Sequence, residues 1–137
     1  MNALRRCDGY IRFGLMDSTS RIPEIGEALG CQVHDSVSLD QYGYLNYNTP
    51  SIRSYHDCHP SLHEGDCVRM EVDLDSIPRT VKFFVNGEAG ECYMSGIPSS
   101  VRIGFSVYGE GLSFRIDNIS RLSRPTPLSE GMNEVKW

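Results

Sequence analysis

Three carboxylates at alternate positions of one segment have the residue types and spacing that acid–base chemistry requires. They are Glu71, Asp73 and Asp75. On an extended strand, residues two apart share a face and lie about 6.7 Å from each other, a separation useful to a pair of catalytic carboxyl groups. A strand that returns after a loop at 76–79 would place Lys82 opposite Asp73. A neutralised pair on a solvated face is therefore favoured over catalysis.

A second cluster has the residue types of a zinc site and consists of His56, Cys58, His59 and His63. Structural zinc sites usually combine two pairs of ligands across a longer span of chain, and no second pair follows this cluster. A polar loop with incidental histidines is the favoured interpretation. We therefore expect neither a metal ion nor another cofactor.

Other chemical motifs are missing from the sequence. No serine or cysteine lies in a recognisable nucleophile context such as G-x-S-x-G, and no glycine-rich loop has the strand and lysine of a phosphate site. The five cysteines are odd in number and widely spaced, which favours buried thiols over a disulfide framework. The sequence thus predicts a protein that is not an enzyme.

Composition excludes several classes of partner. The chain has 137 residues, a formal net charge of -5 and no basic run longer than Arg5-Arg6, so it lacks the charge pattern of a nucleic-acid-binding protein. No apolar stretch approaches the ~18–20 residues of a membrane span, and no signal-peptide core is found near the N-terminus. We expect one soluble cytoplasmic domain that binds neither nucleic acid nor membrane.

Apolar residues recur with a period of two through most of the chain, which is typical of strands with one face on a core. Helical periodicity is absent, and Asn86-Gly87 is the strongest turn signal. The pattern predicts an all-β antiparallel sandwich of about seven or eight short strands. The predicted strands cover 10–15, 36–39, 44–47, 67–75, 81–85, 92–94, 101–107 and 112–116.

Three segments lack this alternation. Two of them, 17–35 and 49–66, are long loops, which inside a compact domain are usually functional or disordered. The third is the polar tail at 123–137, which contains two prolines and is predicted to be flexible. The domain itself is predicted to span 10–122, after an N-terminal lead of residues 1–9.

The order of motifs along the chain resembles a SPRY domain, a B30.2-like member of the concanavalin A-like sandwiches. The segments that carry the resemblance are, in order, 11–15, 36–39 with Gly43, Gly65-Asp66, 68–75, 80–87 and 101–109. The resemblance covers residues 10–122 and implies the SPRY fold. It also implies a non-catalytic adaptor module that binds a protein or peptide partner.

The resemblance further implies a shortened domain. SPRY domains usually begin with one or two additional strands, whereas only nine residues precede Tyr10 here. A sandwich without its first strands has an unpaired sheet edge, which invites pairing with another chain, including edge-strand self-association. The tryptophan of the family's SWGL stretch is also absent, because the sole tryptophan is Trp137.

The resemblance indicates where a partner would bind. In family members that bind short peptides, the turn after the penultimate long strand supplies a hydrophobic-aromatic-glycine step, and the aromatic position here is Tyr108. A tyrosine offers a large rigid face and a hydroxyl at modest entropic cost. The loop after the first strand and neighbouring loops supply further contacts. The predicted partner-binding residues are Val107, Tyr108, Gly109, Leu29, Gly30, Tyr44 and Arg53.

Two alternative functions stay open at this point. Legume-lectin sandwiches share the architecture, so a carbohydrate-binding, lectin-like domain is the second candidate. The strand with Glu71, Asp73 and Asp75 looks like the E-x-D-x-(D/E) strand of jelly-roll glycosidases, so a glycosidase is the third. The sequence favours a module that binds a short peptide segment of a partner through loops at one end of the sandwich.

Overall fold

The computed structural model describes residues 10–109 and 111–137, and within these ranges it contains ten strands and no helix. The all-β sandwich predicted from the period-two pattern is confirmed. The predicted lead of residues 1–9, which includes Cys7, lies outside the described residues. The strands are β1 (Tyr10–Asp17), β2 (Ser36–Asp40), β3 (Tyr44–Asn48), β4 (Arg53–Asp57), β5 (Val68–Asp73), β6 (Thr80–Val85), β7 (Glu88–Ala89), β8 (Cys92–Ser95), β9 (Val101–Tyr108) and β10 (Asn133–Lys136).

The strands form two sheets that face each other. The first sheet has the order β4-β3-β2-β1-β9 and is antiparallel throughout. The second has the order β10-β8-β6-β5, with β7 paired to β6 and with β10 parallel to β8. Phe13 of β1 meets Phe83 of β6 edge to face, with 6.0 Å between the ring centroids. Strand β1 therefore lies over β6, across the core.

The core between the sheets consists of the apolar residues that alternate along the strands. Leu15 and Val37 of the first sheet and Phe83 and Met94 of the second are buried in one cluster. Since successive residues of a strand point to opposite faces, the neighbours of these residues point out of the sandwich. Within the described residues, no helix is long and apolar enough to cross a membrane.

The turn predicted at Asn86-Gly87 is confirmed. Both residues have positive φ, 51° for Asn86 and 83° for Gly87, and they join β6 to β7 as a two-residue hairpin loop. Two residues with positive φ are the requirement of a type I′ turn, whose twist matches that of the flanking strands. The local sequence therefore contains the main signal for this hairpin.

The segment 112–116 is not a strand, so that prediction is wrong. Its apolar residues Leu112, Phe114 and Ile116 are exposed, although Phe114 stacks on Phe105 of β9 with 4.3 Å between centroids. Alternation reports which side chains share a face, but a strand also needs a paired neighbour. Conversely, the sequence did not predict β4, because its residues are mostly exposed and show no apolar alternation.

The C-terminal tail was predicted to be flexible, but in the structure it packs against the domain. It ends in β10, which pairs with β8 and buries Val135 against the core, with Trp137 packed beside it. Four residues with one buried apolar side chain are too few to produce a visible alternation. The tail crosses to β10 from the segment around Thr126, which lies against β5 and β6.

Thr126 fastens the tail to the outer face of the second sheet. Its amide and hydroxyl donate to Glu71, at 2.5 and 2.7 Å, and its carbonyl accepts a hydrogen bond from Lys82. Glu71 and Lys82 are both buried and lie opposite each other on β5 and β6. The expected pairing of Lys82 with Asp73 is wrong, because β5 ends earlier than predicted and Asp73 pairs with Thr80.

A disulfide joins Cys58, which follows β4, to Cys92 of β8, with 5.5 Å between their Cα atoms. The expectation of free buried thiols is therefore wrong for this pair. The odd number of cysteines gave no indication of this disulfide, and a separation of 34 residues is not a recognisable disulfide motif. Cys31 and Cys67 are free thiols. The disulfide links the two sheets at the side away from β9.

The buried pair of Glu71 and Lys82 provides a test of the fold. We expect Lys82→Met to lower the free energy of unfolding by about 3 kcal/mol, because buried Glu71 then loses its buried cation and keeps only the half-exposed Arg69, at 3.7 Å. The double variant Glu71→Leu/Lys82→Met should lose less stability than Glu71→Leu and Lys82→Met lose together as single variants. In the double variant, neither buried charge is left without the other. Urea unfolding measures all three variants. Strictly additive losses would contradict the assigned pairing.

Candidate functional site

The exposed end of β9 carries the main predicted contact, Tyr108. This residue is 53% exposed and pairs with Tyr10 at the start of β1. The two rings stack with 5.7 Å between centroids, and the Arg12 guanidinium carbon lies 5.4 Å from the centroid of the Tyr10 ring. We call the three residues Tyr10, Arg12 and Tyr108 the tyrosine platform. It offers aromatic faces, phenol hydroxyls and a cation on one surface.

The loop between β1 and β2 supports the platform from the outer face of the first sheet. The backbone carbonyl of Leu29 accepts hydrogen bonds from Arg12, at 3.0 Å, and from Ser38, at 2.8 Å. The amide of Leu29 donates to the hydroxyl of Ser106 on β9, at 3.1 Å. The Leu29 side chain is buried beside Gly104. Leu29 was predicted as a contact, and in the structure its backbone positions Arg12.

Gly30 is also a supporting residue in the structure. Its amide donates to the hydroxyl of Ser36, at 2.7 Å, and its φ of +73° lies in the left-handed region that favours glycine. A Cβ atom at this position would approach the side chain of Asn46 to 2.9 Å and would collide with its backbone. Gly30 therefore lets the loop lie directly on β3.

The other two residues of the predicted step, Val107 and Gly109, flank Tyr108. Val107 is 42% exposed and points to the opposite face of β9 from Tyr108. Gly109 follows the strand with a φ of +114°, which favours glycine. The structure thus brings Tyr108 and Val107 to one exposed strand end, but not onto one surface.

Tyr44 lies at the same end of the first sheet as the platform. Strands β2 and β1 separate it from β9, so it is about 14 Å away across the sheet. Its ring contacts Tyr55 edge to face, at 5.4 Å. Buried Asp40 positions it by accepting hydrogen bonds from the amides of Tyr42 and Tyr44, at 2.9 and 3.0 Å.

Arg53 lies at the opposite end of the sheet from Tyr108. It begins β4 opposite Asn48, and Asn48 in turn pairs with Ser36. Its guanidinium contacts the Cys31 thiol, with 2.8 Å between Nη2 and Sγ. The structure therefore separates Arg53 from Tyr108, although Arg53 contacts Cys31, the neighbour of Gly30.

Two residues of the platform, Tyr10 and Arg12, were missing from the predicted contacts. Their alternation with Ile11 and Phe13 indicated an outward face, but it did not indicate which strand lies beside β1. The pairing of β1 with β9 joins residues nearly one hundred positions apart along the chain. Only the fold shows that Tyr10 meets Tyr108.

The three carboxylates of the alternative enzyme hypothesis do not form a group on one strand. Glu71 is bound to Thr126 on the outer face. One carboxylate oxygen of Asp73 accepts hydrogen bonds from the amides of Asp75 and Ser76, at 3.0 Å each, as a turn requires. Asp75 lies beyond the end of β5. Glu71 and Asp73 therefore each have a structural role.

The histidines and the cysteine of the candidate zinc site each have different contacts in the structure. Cys58 is in the disulfide, His56 stacks on an aromatic ring of β3, and His63 is exposed. His59 is buried, with its Nε2 atom 3.2 Å from the carbonyl oxygen of Phe83. Among the residues that the structure describes, no group of three or more histidine, cysteine or acidic side chains is arranged to hold a metal ion.

Comparisons of the chain with protein-family models, with curated proteins and with solved structures find no match in any of the three. The SPRY resemblance therefore stays a prediction based on the order of the motifs.

His59 makes the stability of the domain depend on pH. Because the Phe83 carbonyl can only accept, Nε2 carries the proton of a neutral ring. Burial lowers the pKa of His59 below its ordinary value of 6.5, against the opposing effects of the Phe83 carbonyl and Glu91. The unfolded chain then binds more protons than the folded one at mildly acidic pH. Stability is therefore complete above about pH 6.5 and decreases as pH falls towards the folded-state pKa.

We expect urea unfolding at pH 7.5 and pH 5.5 to show a larger loss of stability for the native chain than for His59→Gln. Glutamine can still donate to the Phe83 carbonyl but does not titrate. The exposed His63→Gln serves as the control and should keep the pH dependence of the native chain. An equal pH dependence of the native chain and His59→Gln would contradict the burial of a neutral histidine.

Proposed function

We propose that this protein is a non-catalytic module that binds a short peptide segment of a partner protein, with Tyr108 as the principal contact. The observation that carries the proposal is the tyrosine platform. Tyr108 is half-exposed yet ordered by stacking on Tyr10, so its ring loses little freedom when a ligand covers it. Exposed aromatic residues next to arginine are the groups that dominate binding energies at protein interfaces.

The support beneath the platform favours the same proposal. Arg12 is held between the Tyr10 ring and the Leu29 carbonyl, so its charge has a defined position before any ligand arrives. A guanidinium held in this way can recognise carbonyl and carboxylate oxygens of a peptide. The roles of Glu71 and Asp73 in holding the tail and a turn also favour a non-catalytic protein.

Selection from a random peptide display library would supply a ligand for the test. We expect Tyr108→Ala to weaken binding of the selected peptide about 30-fold, which corresponds to a hot-spot contribution of ~2 kcal/mol. Tyr108→Phe should retain most of the affinity if the ring face makes the contact. Isothermal titration measures each variant.

Tyr93→Ala is the matched control, because Tyr93 is partly exposed and lies on β8 of the other sheet. Unchanged affinity of Tyr108→Ala, or equal losses for both variants, would contradict the proposal. A glycan array forms the second arm of the experiment. Glycan binding that depends on Tyr108, without peptide binding, would favour the lectin-like alternative.

A further inference from the structure

Val107 and Tyr108 are both exposed, but they point to opposite faces of β9. Tyr108 shares the outer face with Ser106 and Arg102, and Val107 shares the inner face with Phe105. A ligand that contacts both Val107 and Tyr108 cannot lie on one face of the sheet. It must pass along the edge of β9.

We propose that the partner segment binds as an added antiparallel strand along the free edge of β9. This inference rests on the proposed function and specifies the geometry of binding. Strand β9 is eight residues long and pairs with β1 along its whole length. Within residues 10–109 and 111–137 it has no strand on its other side. Such an edge offers a row of backbone donors and acceptors to an incoming strand.

The inner face of β9 specifies apolar residues at alternate positions of the ligand. Ile103, Phe105 and Val107 point to this face and are nevertheless 53%, 36% and 42% exposed. Phe105 is covered only in part, by stacking on Phe13 and Phe114. Apolar side chains of an added strand would meet these three residues as cross-strand neighbours and remove their surface from water.

The outer face favours acidic residues at the ligand positions that lie between the apolar ones. Arg102 of β9 lies there; it donates to the Ser20 carbonyl at 3.1 Å and takes part in no ion pair among the residues that the structure describes. A carboxylate of an added strand would lie beside Arg102, whereas Arg12 lies on β1, on the other side of β9. The net charge of -5 opposes an acidic ligand only weakly, because charges beyond about 10 Å are largely screened at ordinary salt.

The ligand is therefore an extended segment that alternates apolar and acidic residues. A second copy of the chain fits less well, because β9 itself contains Arg102 and no carboxylate. Antiparallel pairing of two β9 strands would place the cations of both copies on one face of a continuous sheet. The partner segment of this proposal comes from a different protein.

The probe is a fluorescent eight-residue peptide that alternates valine and aspartate, with binding followed by anisotropy at about 0.1 M salt, where the Debye length is about 10 Å. In an added strand, the amides of alternate residues point towards β9 and the others point to solvent. We expect N-methylation of one alternate set of residues to weaken binding at least tenfold and N-methylation of the other set to leave it unchanged. A peptide with lysine in place of aspartate should bind at least tenfold more weakly.

Val107→Lys places a charge on the inner face of the edge and should weaken binding of the probe at least tenfold. Ile25→Lys is the matched control, since Ile25 is fully exposed in the loop between β1 and β2, and it should bind the probe as the native chain does. Circular dichroism of both variants confirms that they fold.

Three results would overturn strand addition: equal binding of the two N-methylated peptides, no binding of the probe, or dimerisation of the native chain that Val107→Lys abolishes. The last result would identify a second copy as the occupant of the edge. The proposed function would survive all three if the library-selected peptide still requires Tyr108. It would fail separately if selected peptides bind without Tyr108.

Discussion

The packing of β1 against β6 across the core determines which residues of β1 the outer surface presents. Phe13 and Leu15 are held in the core, so Tyr10 and Arg12 must point outwards. A slip of β1 by one residue would bury Arg12 and expose Phe13, which the desolvation of a guanidinium forbids. The tyrosine platform is thus a consequence of core packing on the opposite side of the same strand.

Apolar alternation was sufficient to predict the central strands even where both faces are buried, as in β2, because the inner face is apolar and the outer face is polar. It failed at β4, which is exposed on both faces, and at β10, which buries a single residue in the core. It also failed at 112–116, where apolar side chains alternate without a backbone neighbour. Strand pairing, register and the disulfide depend on contacts between residues far apart in the chain, which local pattern does not encode.

The candidate site likewise has features that the local sequence predicts and features that depend on strand pairing. The exposure of Tyr108 could be expected from its position at the end of a strand, whereas its contact with Tyr10 required the pairing of β1 with β9. Leu29 lies close to the platform, and its backbone carbonyl rather than its side chain positions Arg12. A sequence motif can indicate which segments form a site, but it cannot distinguish a residue that would contact a ligand from one that positions such a residue.

The motifs that carry the SPRY resemblance mostly hold the fold together. Asn86 donates to Asp66 at 2.9 Å and accepts from the amide of Cys67 at 3.0 Å, so the two motif turns are bonded to each other. The hydrogen bond from Asn86 is the main cause of the lowered pKa of Asp66. Residues with such internal partners have no need of a ligand. The proposed specificity therefore depends on β9, where Arg102 takes part in no ion pair among the described residues and where Ile103 and Val107 are about half-exposed.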